Sequence, residues 1–201
     1  MTSVIQAVGY GAAVFPFACV FGASLIWPVN TSKTDDLQGR PPPVIFMIIW
    51  TLICIVLTTL PLVAIATYES KKTIWLISLL VVIISIVCAI WLLSDYNSDN
   101  VASCLSLAVV VMLSLVLLIT ILLRKPVRDL APLKCLKPFD RISPCTTQLV
   151  LASSMSLPIT WGIYALMMNL TNANMRLSNM SVPTGNTRMS RTKCSHIMSN
   201  Q

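Results

Sequence analysis

Phe46 and Trp50 stand four residues apart in the run Pro41-Pro42-Pro43-Val44-Ile45-Phe46-Met47-Ile48-Ile49-Trp50-Thr51-Leu52. Residues at that spacing share one face of a helix, and two large rings on one face can form the mouth of a flat apolar pocket. The chemistry open to them is non-covalent: contact of aromatic faces with a planar hydrophobic guest. The same pair can equally serve as interfacial anchors, because tryptophan concentrates where a membrane meets water. A second aromatic group lies late in the chain. Trp161, Ala165 and Met168 follow an i, i+4, i+7 pattern, and Tyr164 stands four residues before Met168, so they form one stripe. Small Ala165 lets a neighbouring helix or a ligand come close, Trp161 and Tyr164 supply aromatic faces, and Asn169 adds a polar group near the end of the apolar run. Ordinary helix packing, with Asn169 as a cap, accounts for the same stripe.

Groups for covalent or acid–base work are missing. No nucleophile–base pair, metal cluster or set of buried carboxylates stands out, so an enzyme is not expected. The seven cysteines include no Cys-x-x-Cys pair. Cys19, Cys54, Cys88 and Cys104 fall inside apolar stretches and read as small hydrophobes. Cys135 and Cys145 share a basic loop and Cys194 lies in the tail; spacing leaves their pairing open. With one histidine, His196 in the tail, a zinc site is not expected.

The elements that must position these residues are set by composition. The chain of 201 residues is 56% hydrophobic and 10% charged, with a mean hydropathy of +0.80; an average soluble domain is roughly 25% charged. This is the composition of an integral, multi-pass membrane protein whose partner is the lipid bilayer. The net charge of +7 does not argue for nucleic acid, because the basic residues lie in loops and tail, where they set orientation or meet anionic lipid.

A bilayer-spanning helix needs ~20 apolar residues, and five stretches qualify: 4–27, 42–68, 73–93, 101–123 and 148–170. The first is too long for a signal-peptide core and lacks a basic leader. None of the five contains Asp, Glu, Lys, Arg or His, which weighs against a proton relay, an ion-coupled pump or a voltage sensor. Unbroken apolar runs such as Leu79-Leu80-Val81-Val82-Ile83-Ile84 lack the alternation of a barrel strand, so helix is the expected form. The prolines before Val44 suit the first turn of the second helix. Tight links at 69–72 and 94–100 make their neighbours antiparallel. The loop from Arg124 to Thr147 holds six basic residues and four prolines. Residues 171–201 are polar and basic and read as a disordered tail. The expected fold is therefore an all-α bundle of five transmembrane helices over residues 1–170. The positive-inside rule puts the 124–147 loop in the cytoplasm and the first loop and tail opposite. The residues do not say which membrane holds the protein; an organelle outer membrane, another internal membrane or a bacterial membrane all fit.

In the second and fifth spans the chain resembles the translocator protein family, the tryptophan-rich sensory proteins (TspO/MBR). The family's second helix typically opens Pro-Pro-x-x-Phe-x-x-x-Trp-Thr-x-x-Tyr, and here Pro42, Pro43, Phe46, Trp50 and Thr51 match in register. Cys54 replaces the tyrosine. The family's last helix carries Trp-x-x-Phe-Ala-x-x-Leu-Asn, and Trp161, Tyr164, Ala165, Met168 and Asn169 hold that spacing, with Pro158 one residue closer to the tryptophan than usual. The third span departs: Trp91 is present, but Ile84 and Cys88 stand where the family often has polar residues.

The resemblance implies a five-helix bundle that binds and translocates flat or rigid apolar ligands, tetrapyrroles such as haem and porphyrin or sterols such as cholesterol. It implies Phe46, Trp50, Trp161 and Tyr164 as ring-facing walls, Ala165 as the point of close approach and Asn169 as a polar contact. It also implies pairing as a homodimer. No His or Cys is placed to ligate haem iron, so no cofactor is expected and a tetrapyrrole would be held by packing. The family's sterol motif after the last helix is poorly met, since Arg176 lies far beyond Tyr164. The alternative is a structural or partner-binding membrane protein with no small-molecule ligand.

Overall fold

The computed structural model describes residues 2–26, 43–97, 100–124, 126–127 and 143–181. Among them there is no strand. Six helices follow in order: α1 (Thr2–Ile26), α2 (Pro43–Thr67), α3 (Lys71–Tyr96), α4 (Asn100–Leu123), α5 (Pro144–Ser154) and α6 (Ser156–Ser181). Five spans among the described residues are long and apolar enough to cross a membrane: Val4–Ala23, Val44–Thr67, Lys71–Asp95, Val101–Leu123 and Pro144–Asn172. The protein is a multi-pass integral membrane protein. Pro41, Pro42 and the first loop lie outside the described residues, as do residues 182–201 of the expected tail and Cys135 and Cys194.

The first four spans follow the predicted boundaries within a few residues. The fifth differs in three ways. It starts at Pro144, it breaks at Met155 into α5 and α6, and it continues as helix to Ser181 rather than ending near residue 170. The break has a local cause. Pro158 has no N–H for the Ser154 carbonyl and its ring crowds that carbonyl. The flanking bonds, Met155 N–H to Leu151 O and Ile159 N–H to Met155 O, are both stretched to 3.3 Å. Early initiation is explained by Ser143, whose hydroxyl accepts from Thr146 N–H at 3.2 Å, with Pro144 in the first turn. This is a helix start built from an N-cap and a proline. The α3 start is similar, with the Ser70 hydroxyl accepting from Thr73 N–H.

The helices close a ring. α1 packs on α2 and α3, α3 on α4, and α4 on α6 and α5, while α2 also packs on α3 and touches α5. α2 and α6 are not among the closely packed pairs, and the seam between them is bridged by side chains. Close approach is possible elsewhere because the residues are small. A Cβ at Gly9 would collide with Ile65, which lets α1 lie against α2, and one at Gly162 would stand 2.7 Å from a Val111 methyl, which lets α6 lie against α4. Contacts of this kind matter because lipid tails are as apolar as the helix faces, leaving packing to hold the spans together.

The two ends of the bundle are held differently. At the end where α2 and α4 finish, Val127 N–H donates to Thr67 O at 3.0 Å. There Gln148 Nε2 donates to both Ile121 O and Leu122 O at 2.9 Å. These bonds satisfy terminal carbonyls that a helix leaves without partners. Within the spans, hydroxyls turn back on their own helix: Thr51 Oγ1 donates to Met47 O, Thr67 Oγ1 to Val63 O and Ser85 Oγ to Val81 O. That is how a polar side chain is accommodated in a dry span.

Candidate functional site

The opposite end, where α2 begins and α3 finishes, is filled by rings. Phe46 and Trp50 project from the first two turns of α2, one turn apart, with ring centroids 6.1 Å from each other. Trp91, near the end of α3, stacks on Trp50 at 5.3 Å with 20° between the planes. Phe46 also lies 6.2 Å from Trp91 and meets Trp161 of α6 edge-on at 5.9 Å. Trp161 in turn lies 5.4 Å from Tyr164. Trp50 and Trp91 are 5% and 3% exposed, whereas Tyr164, at 40%, forms the outer rim. Centroid separations of roughly 4.5–7 Å are those at which aromatic pairs attract beyond simple burial.

Trp50, Trp91 and Trp161 enclose a slot whose wall also takes in Ile84 and Cys88 of α3, Leu107 and Val110 of α4, and Pro158 and Gly162 of α6, whereas Phe46 and Tyr164 pack against those rings without lining it. The cavity that remains is about 10 Å³, close to the minimum for one water. The slot is thus closed on itself. Stacking Trp50 on Trp91 removes a void whose walls would otherwise lack contacts, so a guest must part the rings. Among the described residues, none of the wall carries a charge. The indole Nε1 groups of Trp50, Trp91 and Trp161 are buried and have no hydrogen-bond partner among the described residues.

Of the residues singled out from sequence, the fold gathers Phe46, Trp50, Trp161 and Tyr164 into one cluster. Ala165 is buried one turn beyond Trp161 but is not part of the slot wall, and Asn169 is half-buried a further turn along α6. Thr51 faces away, lining a shallow outer groove of about 470 Å³ with Val44, Met47, Ile48 and Leu52. Its hydroxyl is committed to Met47 O. Pro158 both breaks the fifth span and lines the slot. Trp91 is the member not proposed as a site residue from sequence. The available signal was its place a turn before the end of the third span, level with the aromatics that open the second. Among the described residues, no group of three His, Cys, Asp or Glu side chains is gathered as for a metal.

No protein-family model, curated protein or solved structure matches the chain.

Proposed function

We propose that this membrane protein is of the translocator type and binds a flat, largely apolar ligand, a tetrapyrrole or a sterol-like molecule, between α2, α3 and α6. The observation that supports this reading is the convergence of Trp50, Trp91 and Trp161 from three helices on one apolar wall, with Phe46 packed against all three rings. Ring-lined slots with few polar groups suit planar hydrophobic guests. Phe46 and Trp161 meet edge-on across the seam between α2 and α6, two helices that are not closely packed, so that seam is where the rings part most readily to admit a guest. Translocation, homodimer formation and the absence of catalysis belong to the same reading.

A second reading is a structural or partner-binding membrane protein with no small ligand. The closed slot favours it, because rings that already fill their own cavity need no guest.

A titration of the purified protein in lipid nanodiscs with protoporphyrin and with cholesterol separates the two. The ligand reading expects saturable quenching of tryptophan fluorescence by protoporphyrin, weakened at least tenfold by Trp50→Ala and Trp161→Ala together. Quenching that is absent, or unchanged in the double variant, supports the structural reading.

A further inference from the structure

Charge is shared unequally between the two ends of the bundle. At the end where α2 and α4 finish, the described side chains include three exposed cations, Lys71, Lys72 and Arg124, and one acid, Glu69. At the ring end the charged side chain among those described is Asp95. The three cations come from two segments that the fold joins. The bond from Val127 N–H to Thr67 O, at 3.0 Å, lays the chain leaving α4 against the link between α2 and α3. Arg124 is three residues before that contact on one side, and Lys71 is four residues after it on the other. Lys71 and Lys72 are the first two residues of α3, behind the Ser70 cap. The helix itself gains nothing from them there, since cations at a helix start oppose its dipole. Further along α3, Trp75, Leu76 and Leu79 are also exposed. Spacings of three and four residues put Lys72, Trp75, Leu76 and Leu79 on one outward face.

We infer that this face is an interaction surface for anionic phospholipid, whose headgroup phosphate meets Lys71, Lys72 and Arg124 while its acyl chains lie along Trp75, Leu76 and Leu79. The order of side chains down α3 is cation, indole, aliphatic, which is the order of a phospholipid read from phosphate through ester to chain. The spacing also fits: at 1.5 Å per residue Trp75 lies about 4.5 Å below Lys72 and Leu79 about 10.5 Å below it, and an exposed tryptophan settles at headgroup level. The lipid is anionic because three cations against one acid leave a net +2 among the described side chains at this end, which a zwitterionic headgroup does not offset. A lipid is chosen over an acidic soluble partner because the cations border an apolar stripe that such a partner would leave uncovered. A basic side chain near an anionic membrane surface strengthens binding about fivefold.

Trp75 itself reports the lipid beside it. Full-length protein is placed in phosphatidylcholine nanodiscs that carry a minor share of acyl-brominated phosphatidylglycerol or the same share of brominated phosphatidylcholine; bromine quenches an indole that it touches. The Trp75 signal is the emission removed by Trp75→Phe. Brominated phosphatidylglycerol is expected to quench that signal as though enriched about fivefold or more over its bulk share. The preference should fall towards unity when Lys71→Gln, Lys72→Gln and Arg124→Gln are combined, and also in 1 M salt, where the screening length is ~3 Å. Equal quenching by the two lipids in the unaltered protein overturns the inference, and so does a preference that the triple variant keeps. Inorganic phosphate should displace the brominated lipid no more than chloride does at matched ionic strength; displacement by phosphate would assign the cations to a soluble anion and overturn the lipid. The lipid comparison and its salt dependence in the unaltered protein decide the matter even if a variant does not fold. The slot and its occupant play no part in the result.

Discussion

Trp91→Ala removes the ring on which Trp50 stacks and against which Phe46 leans. Two aromatic pairs are lost, at roughly 0.5–1.5 kcal/mol each. The void left at a side chain that is 3% exposed is on the order of 100 Å³, and at ~24 cal/mol per Å³ it adds about 2.4 kcal/mol. The usual transfer contribution is small here, because an unfolded span still sits in lipid. The sum, about 3–5 kcal/mol, matches the range for burying and then truncating a tryptophan. Unfolding in mixed micelles, followed by circular dichroism, should show this loss. Trp75→Ala, at a side chain 46% exposed on the outer face of α3, serves as the control and should change stability by no more than about 0.5 kcal/mol. The enlarged slot also makes a sharper demand. Free indole should refill it and restore stability as RT ln(1 + [L]/Kd), about 2.7 kcal/mol at a hundred times its Kd. A Trp91→Ala protein as stable as the parent, or one that indole does not restore, would refute the ring packing from which the slot is derived.

Three further outcomes follow from other parts of the bundle. Gln148→Leu deletes both bonds to the α4 terminus and should cost about 1–3 kcal/mol, with faster amide exchange confined to the end of α4 and the start of α5. Gly162→Val drives a side chain into Val111 and should destabilise by about 1–3 kcal/mol; adding Val111→Ala should recover most of it, a coupling that a double-mutant cycle measures. Tyr68, between α2 and α3, is buried, and burial raises its phenol above the ordinary value of 10.0. The neutral phenol therefore favours the folded state at all pH below 10, and that contribution is lost as pH rises from 10 through the raised value. Unfolding followed from pH 9 to 12 should steepen above pH 10 in the parent and less so in Tyr68→Phe.

Much of this architecture is legible in the residues, and its gaps have physical causes. Unbroken apolar runs between charged links mark the four leading spans because the bilayer sets their length. The break at Met155 was announced by Pro158, yet hydropathy does not register a missing N–H. The extension of α6 to Ser181 escaped because its last turns are polar, and helicity outside a bilayer leaves no hydropathy signal. Gln148 reads as the polar edge of a span; its role as a cap depends on carbonyls of Ile121 and Leu122, which only the fold brings near. At the slot, the four-residue spacings put Phe46 with Trp50 correctly on one face, and helical periodicity can do no more. It cannot show that Trp91 would be level with them, nor that the rings would close on one another and leave no open cavity. Those depend on the register of α3 against α2 and on ring rotation about single bonds.

One contrast between the two ends of the bundle has a mechanical consequence. Backbone and amide bonds pin Val127 to Thr67 and Gln148 to the finish of α4, while the far end is joined across the α2 and α6 seam by an edge-on contact of Phe46 with Trp161. The molecule is built like a pair of tongs, with a riveted pivot and greased jaws. A load that spreads the described helices therefore meets hydrogen bonds at one end and, across the α2 and α6 seam at the other, only the contact of two rings.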